Sequence, residues 1–175
     1  MSDIEAEFRG LCFNCGGDIS SFRLHLGIPC EKDINNEDLG KIKDEDLLEK
    51  VYNILKEKNR LLKFEDIYRI ERESKDFYNF FYRAIGSEPW SIQMSWFKRL
   101  MKNHSFAMIA PTGTGKSTFI AISSIYFSKN GKKILIILPT RVLVSQMYEK
   151  IKGYMEKLNI NVNLLAYLGK KEDKK

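Results

Sequence analysis

No apolar run in the sequence approaches the ~20 residues a helix needs to cross a bilayer. The first ten residues, MSDIEAEFRG, are acidic and lack the apolar centre of a signal peptide. These two absences argue against a membrane or secreted protein and lead to the expectation of a cytoplasmic one. Cysteine is scarce: three residues in 175, too few for a disulfide framework. Two of them stand as C-x-x-C, a spacing that reads as metal ligation. Internal repeats are missing as well.

What remains is the composition of a globular chain, 43% hydrophobic and 30% charged, long enough for one to two domains. Its net charge of +6 conceals an asymmetry, since residues 1–95 carry a balance of −5 and residues 96–175 one of +11. A basic half suggests a polyanionic partner such as nucleic acid, unless its lysines simply line solvated helix faces.

The texture changes twice along the chain. Residues 1–36 hold a compact Cys/Gly stretch, LCFNCGGDISSFRLHLGIPCEKD. Residues 37–86 are helical in pattern, with Leu47, Leu48, Val51, Ile54, Leu55 and Leu62 near i, i+3, i+4 and i+7, and end at Gly86. From 87 to 175 the pattern is α/β. SFAMIA, KKILIILP and VNLLAYLG read as strands, the second as a strand buried on both faces. STFIAISSIYFSKNG and TRVLVSQMYEKIKGYMEKL between them read as amphipathic helices. The expected fold is therefore α/β: the opening of a parallel, doubly wound sheet, preceded by a helical segment and a small zinc-knuckle-like module.

Between the first strand and its helix runs Ala110-Pro111-Thr112-Gly113-Thr114-Gly115-Lys116-Ser117-Thr118. Small residues at such a turn let backbone N–H groups point at phosphate oxygens, and the helix adds its positive dipole end. Lys116 would reach the β- and γ-phosphates, and the Ser117 hydroxyl would sit on Mg²⁺. The usual pattern opens on Gly, where this chain has Ala110. The context makes this a P-loop that binds a nucleoside triphosphate.

Three further features narrow the reading. APTGTGKS resembles the loop of superfamily 2 helicases. Gln93, in PWSIQMSW upstream of it, resembles their Q motif, whose glutamine reads the adenine edge. LPTRVLVSQ resembles their motif Ia, which implies that Pro139, Thr140 and Arg141 face a DNA backbone. A P-loop kinase would leave Gln93 and Pro-Thr-Arg unexplained. Among the cysteines, Cys12 and Cys15 form half of a zinc knuckle and Cys30 a third ligand. The fourth is Asp33, at C-x-x-C spacing from Cys30, or His25 if its loop folds back. The alternative is a decayed site with an inert thiol cluster.

Taken in order, LCFNCGGDISSFRLHLGIPCEKD, the approach FYNFFYRAIGSEPWSIQMSWFKRLMKNHSFAMIAPTGTGKSTF and ILPTRVLVSQ resemble the N-terminal part of the reverse gyrase family across roughly residues 11–168. That family would have a fourth cysteine where Asp33 stands. The resemblance implies a RecA-like ATPase coupled to a topoisomerase that introduces positive supercoils into DNA, using ATP, Mg²⁺ and Zn²⁺. Its partners would be DNA and the remaining helicase-like and topoisomerase domains. No acidic pair follows the third strand before the sequence reaches KEDKK, so the expectation is an incomplete ATPase that does not turn over nucleotide by itself. Two other readings stay open: another superfamily 2 DNA or RNA helicase with a zinc knuckle, and a nucleic-acid-binding module with a vestigial nucleotide site.

Overall fold

The computed structural model describes residues 5–39 and 47–169, which form two compact units divided between Arg72 and Glu73. The KEDKK tail and residues 40–46 of the helical stretch lie outside the described residues.

In the first unit, strands β1 (Glu7–Phe8) and β2 (Ile19–Ser20) pair antiparallel, with Glu7 opposite Ser20 and Phe8 opposite Ile19. Ser20 then caps the short helix α1 (Ser21–Leu26) by accepting from the Arg23 N–H, and Gly27 closes it at φ +69°. A single turn, α2 (Asn36–Leu39), precedes α3 (Leu47–Glu57), whose Val51 and Leu55 pack with Ile28, Ile34 and Phe64 into a small apolar core. Leu62, expected on the same stripe, instead lies exposed. The helix has already ended and the chain turns at Asn59, φ +53°, so the helical period no longer applies.

Helix α4 (Phe64–Ile85) stops at Gly86, as its sequence indicates. The core of the second unit is aromatic. Phe77 stacks on Phe97 at 4.0 Å, and Tyr126 sets its edge against Phe77, Phe80 and Phe97. Helix α5 (Ser91–Met101) supplies Trp96 and Phe97 to this core, and α6 (Lys116–Lys129) supplies Phe119 and Tyr126. The sequence suggested that α6 buries one face, yet Phe119 and the whole run Ala121–Tyr126 are buried. Its serines are why a polar-looking helix tolerates this: Ser123 and Ser124 donate to the carbonyls of Phe119 and Ala121 at 2.6 and 2.7 Å. Helix α7 (Arg141–Leu158) is capped by Thr140 and packs along α6.

Residues 105–111, 133–138 and 160–168 depart from expectation. Their side chains alternate in burial along much of each segment, the period of an extended chain with one covered face. Phe106, Met108, Ala110, Ile136, Ile160 and Leu164 pack against the aromatic core. Ile109, Leu135, Ile137 and Leu165, at 82–90% exposure, face outward. KKILIILP is thus covered on one face, not two, because nothing among the described residues lies against its outer side. A parallel ladder is not formed among the described residues, where the only ladder is β1–β2. Apolar packing on one side is enough to impose alternation, whereas a ladder also needs the backbones within hydrogen-bonding reach. No described helix is long and apolar enough to cross a membrane.

Candidate functional site

The first unit gathers Cys12, Cys15, Cys30 and Asp33 so that their ligand atoms lie within 4.8 Å of one another. Two turns achieve this. The Cys12 N–H donates to Gly17 O and the Gly16 N–H to Cys12 O, both at 2.8 Å, with Gly16 at φ +75°. On the other arm, the Asp33 and Ile34 N–H groups both donate to Cys30 O at 3.0 Å. Backbone N–H groups also point at sulfur: Gly17 at Cys15 Sγ and Cys30 at Cys12 Sγ, each at 3.4 Å. A Cβ on Gly17 would come within 3.3 Å of Cys15 Sγ, so glycine permits the approach.

The Sγ atoms of Cys15 and Cys30 are 3.5 Å apart, and Asp33 Oδ2 lies 3.4 Å from Cys12 Sγ and 3.6 Å from Cys30 Sγ. A tetrahedron with Zn–S bonds of ~2.3 Å has edges of ~3.8 Å, so this donor set fits zinc. His25 sits exposed on α1 outside the group, which leaves Asp33 as the fourth donor assembled here. Desolvation, assisted by hydrogen bonds from the neighbouring cluster groups, pushes the Cys15 thiol up to about 12, and burial likewise raises Cys30. A bound divalent cation reverses that preference by stabilising thiolate.

Two buried polar residues that sequence reasoning missed hold this module in place. Asn14, inside the C-x-x-C, is fully buried. Its Oδ1 accepts from the Leu62 and Phe64 N–H groups at 3.1 and 3.2 Å, and its Nδ2 donates to Arg60 O at 3.0 Å. Arg23 donates to Pro29 O, Ile34 O and Asn36 Oδ1 at 2.7–2.9 Å. Their partners lie 6 to 50 residues away, so no local pattern could have announced them.

In the second unit, residues 110–118 make the expected turn into a helix. Gly113 and Gly115 sit at φ +86° and +74°, and Lys116 begins α6 directly after them. Lys116 is folded back on the loop, with Nζ donating to Ala110 O at 2.6 Å and Pro111 O at 2.8 Å. The Thr114 hydroxyl donates to Pro111 O at 2.9 Å. Gln93 lies beneath, 4% exposed. Its Oε1 accepts from the Trp90 N–H at 2.9 Å, and its Nε2 makes a long contact of 3.5 Å to Thr114 O. A Cβ on Gly115 would stand 2.7 Å from Gln93 Nε2, so both the left-handed backbone and the packing require glycine there.

Ser117 and Thr118 follow on the first turn of α6. Their hydroxyls both accept from Lys150 Nζ of α7, at 3.1 and 2.9 Å, a contact that sequence reasoning did not foresee. Burial lowers the affinity of Lys150 for its proton. The sequence contains no Asp or Glu from residue 89 to residue 148, so no carboxylate of that stretch offsets Lys116 and Lys150. At the start of α7, Pro139, Thr140 and Arg141 are exposed, with the Thr140 hydroxyl accepting from the Leu143 N–H at 3.3 Å.

Comparison with known proteins follows the same division. Residues 3–48 match the family described as the reverse gyrase zinc finger, and residues 90–175 match the DEAD/DEAH box helicases. A reverse gyrase of Pyrococcus furiosus is 42% identical over 173 residues, which cover 98% of this chain and 14% of that relative. One of Pyrococcus horikoshii is 41% identical over 166 residues, covering 95% and 10% respectively. Reverse gyrase 1 of Aquifex aeolicus is 40% identical over 172 residues, covering 98% and 14%. The chain thus spans only about a tenth to a seventh of the length of these curated relatives.

Proposed function

We infer that this chain, 41–42% identical to reverse gyrases over nearly all of its own length, supplies the zinc module and the nucleotide-phosphate loop of an ATP-dependent DNA topoisomerase that introduces positive supercoils. The observation that carries this reading is the loop itself. Two left-handed glycines and a lysine open a helix inside the stretch that matches the DEAD/DEAH box helicases. Such a turn presents backbone N–H groups to phosphate, and Lys116 would leave the carbonyls of Ala110 and Pro111 for the β- and γ-phosphates.

The finer assignments follow from the same reading. Residues 110–118 hold the phosphates, and Ser117 supplies a hydroxyl ligand for Mg²⁺, which when bound would neutralise charge on the β- and γ-oxygens. Gln93 would read adenine by exchanging its long contact to Thr114 O for the base. Pro139, Thr140 and Arg141 would face the DNA backbone, within a basic half suited to polyanions. The alternating segments 105–111, 133–138 and 160–168 would be strands of a RecA-like parallel sheet. Cys12, Cys15, Cys30 and Asp33 would hold Zn²⁺ in a module of about residues 1–36, followed by the helical connector 37–86 and the ATPase part 87–175. The protein would act in the cytoplasm.

Binding of a fluorescent ATP analogue tests the core of this. The wild-type chain should bind it saturably without hydrolysis, and Lys116→Ala should weaken binding about tenfold or more, the scale of one lost charge-assisted contact. Equal binding by the two proteins would sink the assignment. In the intact enzyme, Lys116→Ala should abolish ATP-driven supercoiling and spare relaxation.

A further inference from the structure

Lys150 has an unusual position for a helix lysine. Its ammonium folds onto the first turn of α6, donating at once to Ser117 Oγ and Thr118 Oγ1. Among the described residues no carboxylate lies within ion-pair reach of it. A half-buried cation bonded only to neutral hydroxyls holds a charge that an anion or a change of occupant can use. Ser117 is the hydroxyl that the nucleotide reading gives to the divalent metal. Lys116, the other cation at the site, is turned away onto Ala110 O and Pro111 O.

We propose that Lys150 is a second cation of the nucleotide site, standing in for the divalent metal at Ser117 and able to pair with the phosphates when no metal is present. This rests on the nucleotide reading above and goes beyond it. Lys150 and the metal use the same hydroxyl, so in the metal-loaded state Lys150 gives up Ser117 and keeps Thr118. The site then tolerates metal-free nucleotide, and its dependence on Mg²⁺ is set partly by a residue of α7, far along the chain from the loop. Lys150 acts in binding, with no role in bond breaking.

The test is equilibrium binding of the fluorescent ATP analogue to the full 175-residue chain, in Mg²⁺ and in EDTA. Wild type is compared with Lys150→Met, Lys150→Arg and Lys116→Ala. Methionine keeps the length and apolar stem of the lysine, and the thermal midpoint without nucleotide checks that each variant folds. The expected result is a split. Lys150→Met loses about tenfold in EDTA, as for one charge-assisted contact, and less than about twofold in Mg²⁺. Lys150→Arg recovers much of the EDTA binding. Equal losses in both conditions, or none in either, overturn the proposal while leaving the nucleotide site standing. Binding that Lys116→Ala does not weaken, or no binding by wild type at all, overturns the nucleotide reading and this inference with it.

Discussion

The two candidate sites hold their polar groups in opposite ways. In the cysteine cluster four donors converge on one point, fixed by turns whose N–H groups are already spent on carbonyls and sulfur. In the phosphate loop the donors are turned back, with Lys116 on the carbonyls of its own loop and Lys150 on the hydroxyls of α6. The first arrangement brings four donors together, and a bound cation would hold Cys15 and Cys30 as thiolates against the desolvation that favours their protonated form. The second leaves the loop self-satisfied, so a ligand must exchange existing contacts. The first unit should accordingly depend on its ligand for stability, while the second should not.

Removing the metal is the strongest way to break that contrast. Structural zinc contributes on the order of 10 kcal/mol to small metallo-domains at neutral pH. The purified chain should carry about one zinc, and chelation should release the amides of residues 12–34 to free hydrogen exchange. The amides of α6 should keep their protection. Unchanged exchange in residues 12–34 after metal loss would mean that the cluster is inert and that Asn14 and Arg23 carry the module alone.

Next in size is Asn14→Ala. It strands the buried Phe64 N–H at the start of α4, the part-buried Leu62 N–H just before it and the carbonyl of Arg60. The expected loss is about 3 kcal/mol, read from denaturant unfolding of the metal-loaded chain. A loss below about 1 kcal/mol would show that water replaces the side chain and that metal ligation alone fixes the turn. On the other side of the comparison, Gly115→Ala forces a Cβ to 2.7 Å from Gln93 Nε2 and a left-handed backbone on alanine. That should cost about 2 kcal/mol and abolish binding of the ATP analogue. Repeating it on a Gln93→Ala background removes the clash but not the backbone strain, so only part of the stability should return.

These residues also mark where sequence legibility ends. The turns of the loop, the capping of α7 at Thr140 and the stop at Gly86 are local chemistry, written in adjacent residues. The cysteine spacing pointed to the cluster, and the fold groups Asp33 with the three cysteines and leaves His25 outside. Asn14, Arg23 and Lys150 were illegible because their partners are set by how distant elements pack. The same limit applies to KKILIILP, whose apolar run promised two covered faces, although what covers a strand is decided by the rest of the fold.

The outer face of that segment gives the smallest predicted effect, and it sharpens the comparison most cleanly. Ile137 is 84% exposed while Ile136 beside it packs against the aromatic core. An exposed isoleucine has little burial to lose, so Ile137→Lys should change unfolding free energy by no more than about 0.5 kcal/mol. Ile136→Ala, on the covered face, should cost about 2 kcal/mol or more. The lysine should also reduce concentration-dependent self-association in sedimentation, because Leu135, Ile137 and Leu165 offer an open apolar surface. If Ile137→Lys instead proves as costly as Ile136→Ala, the outer face is covered in solution. The stability of the second unit would then depend on a partner surface, and its independence from ligand, the contrast with the cysteine module, would fail.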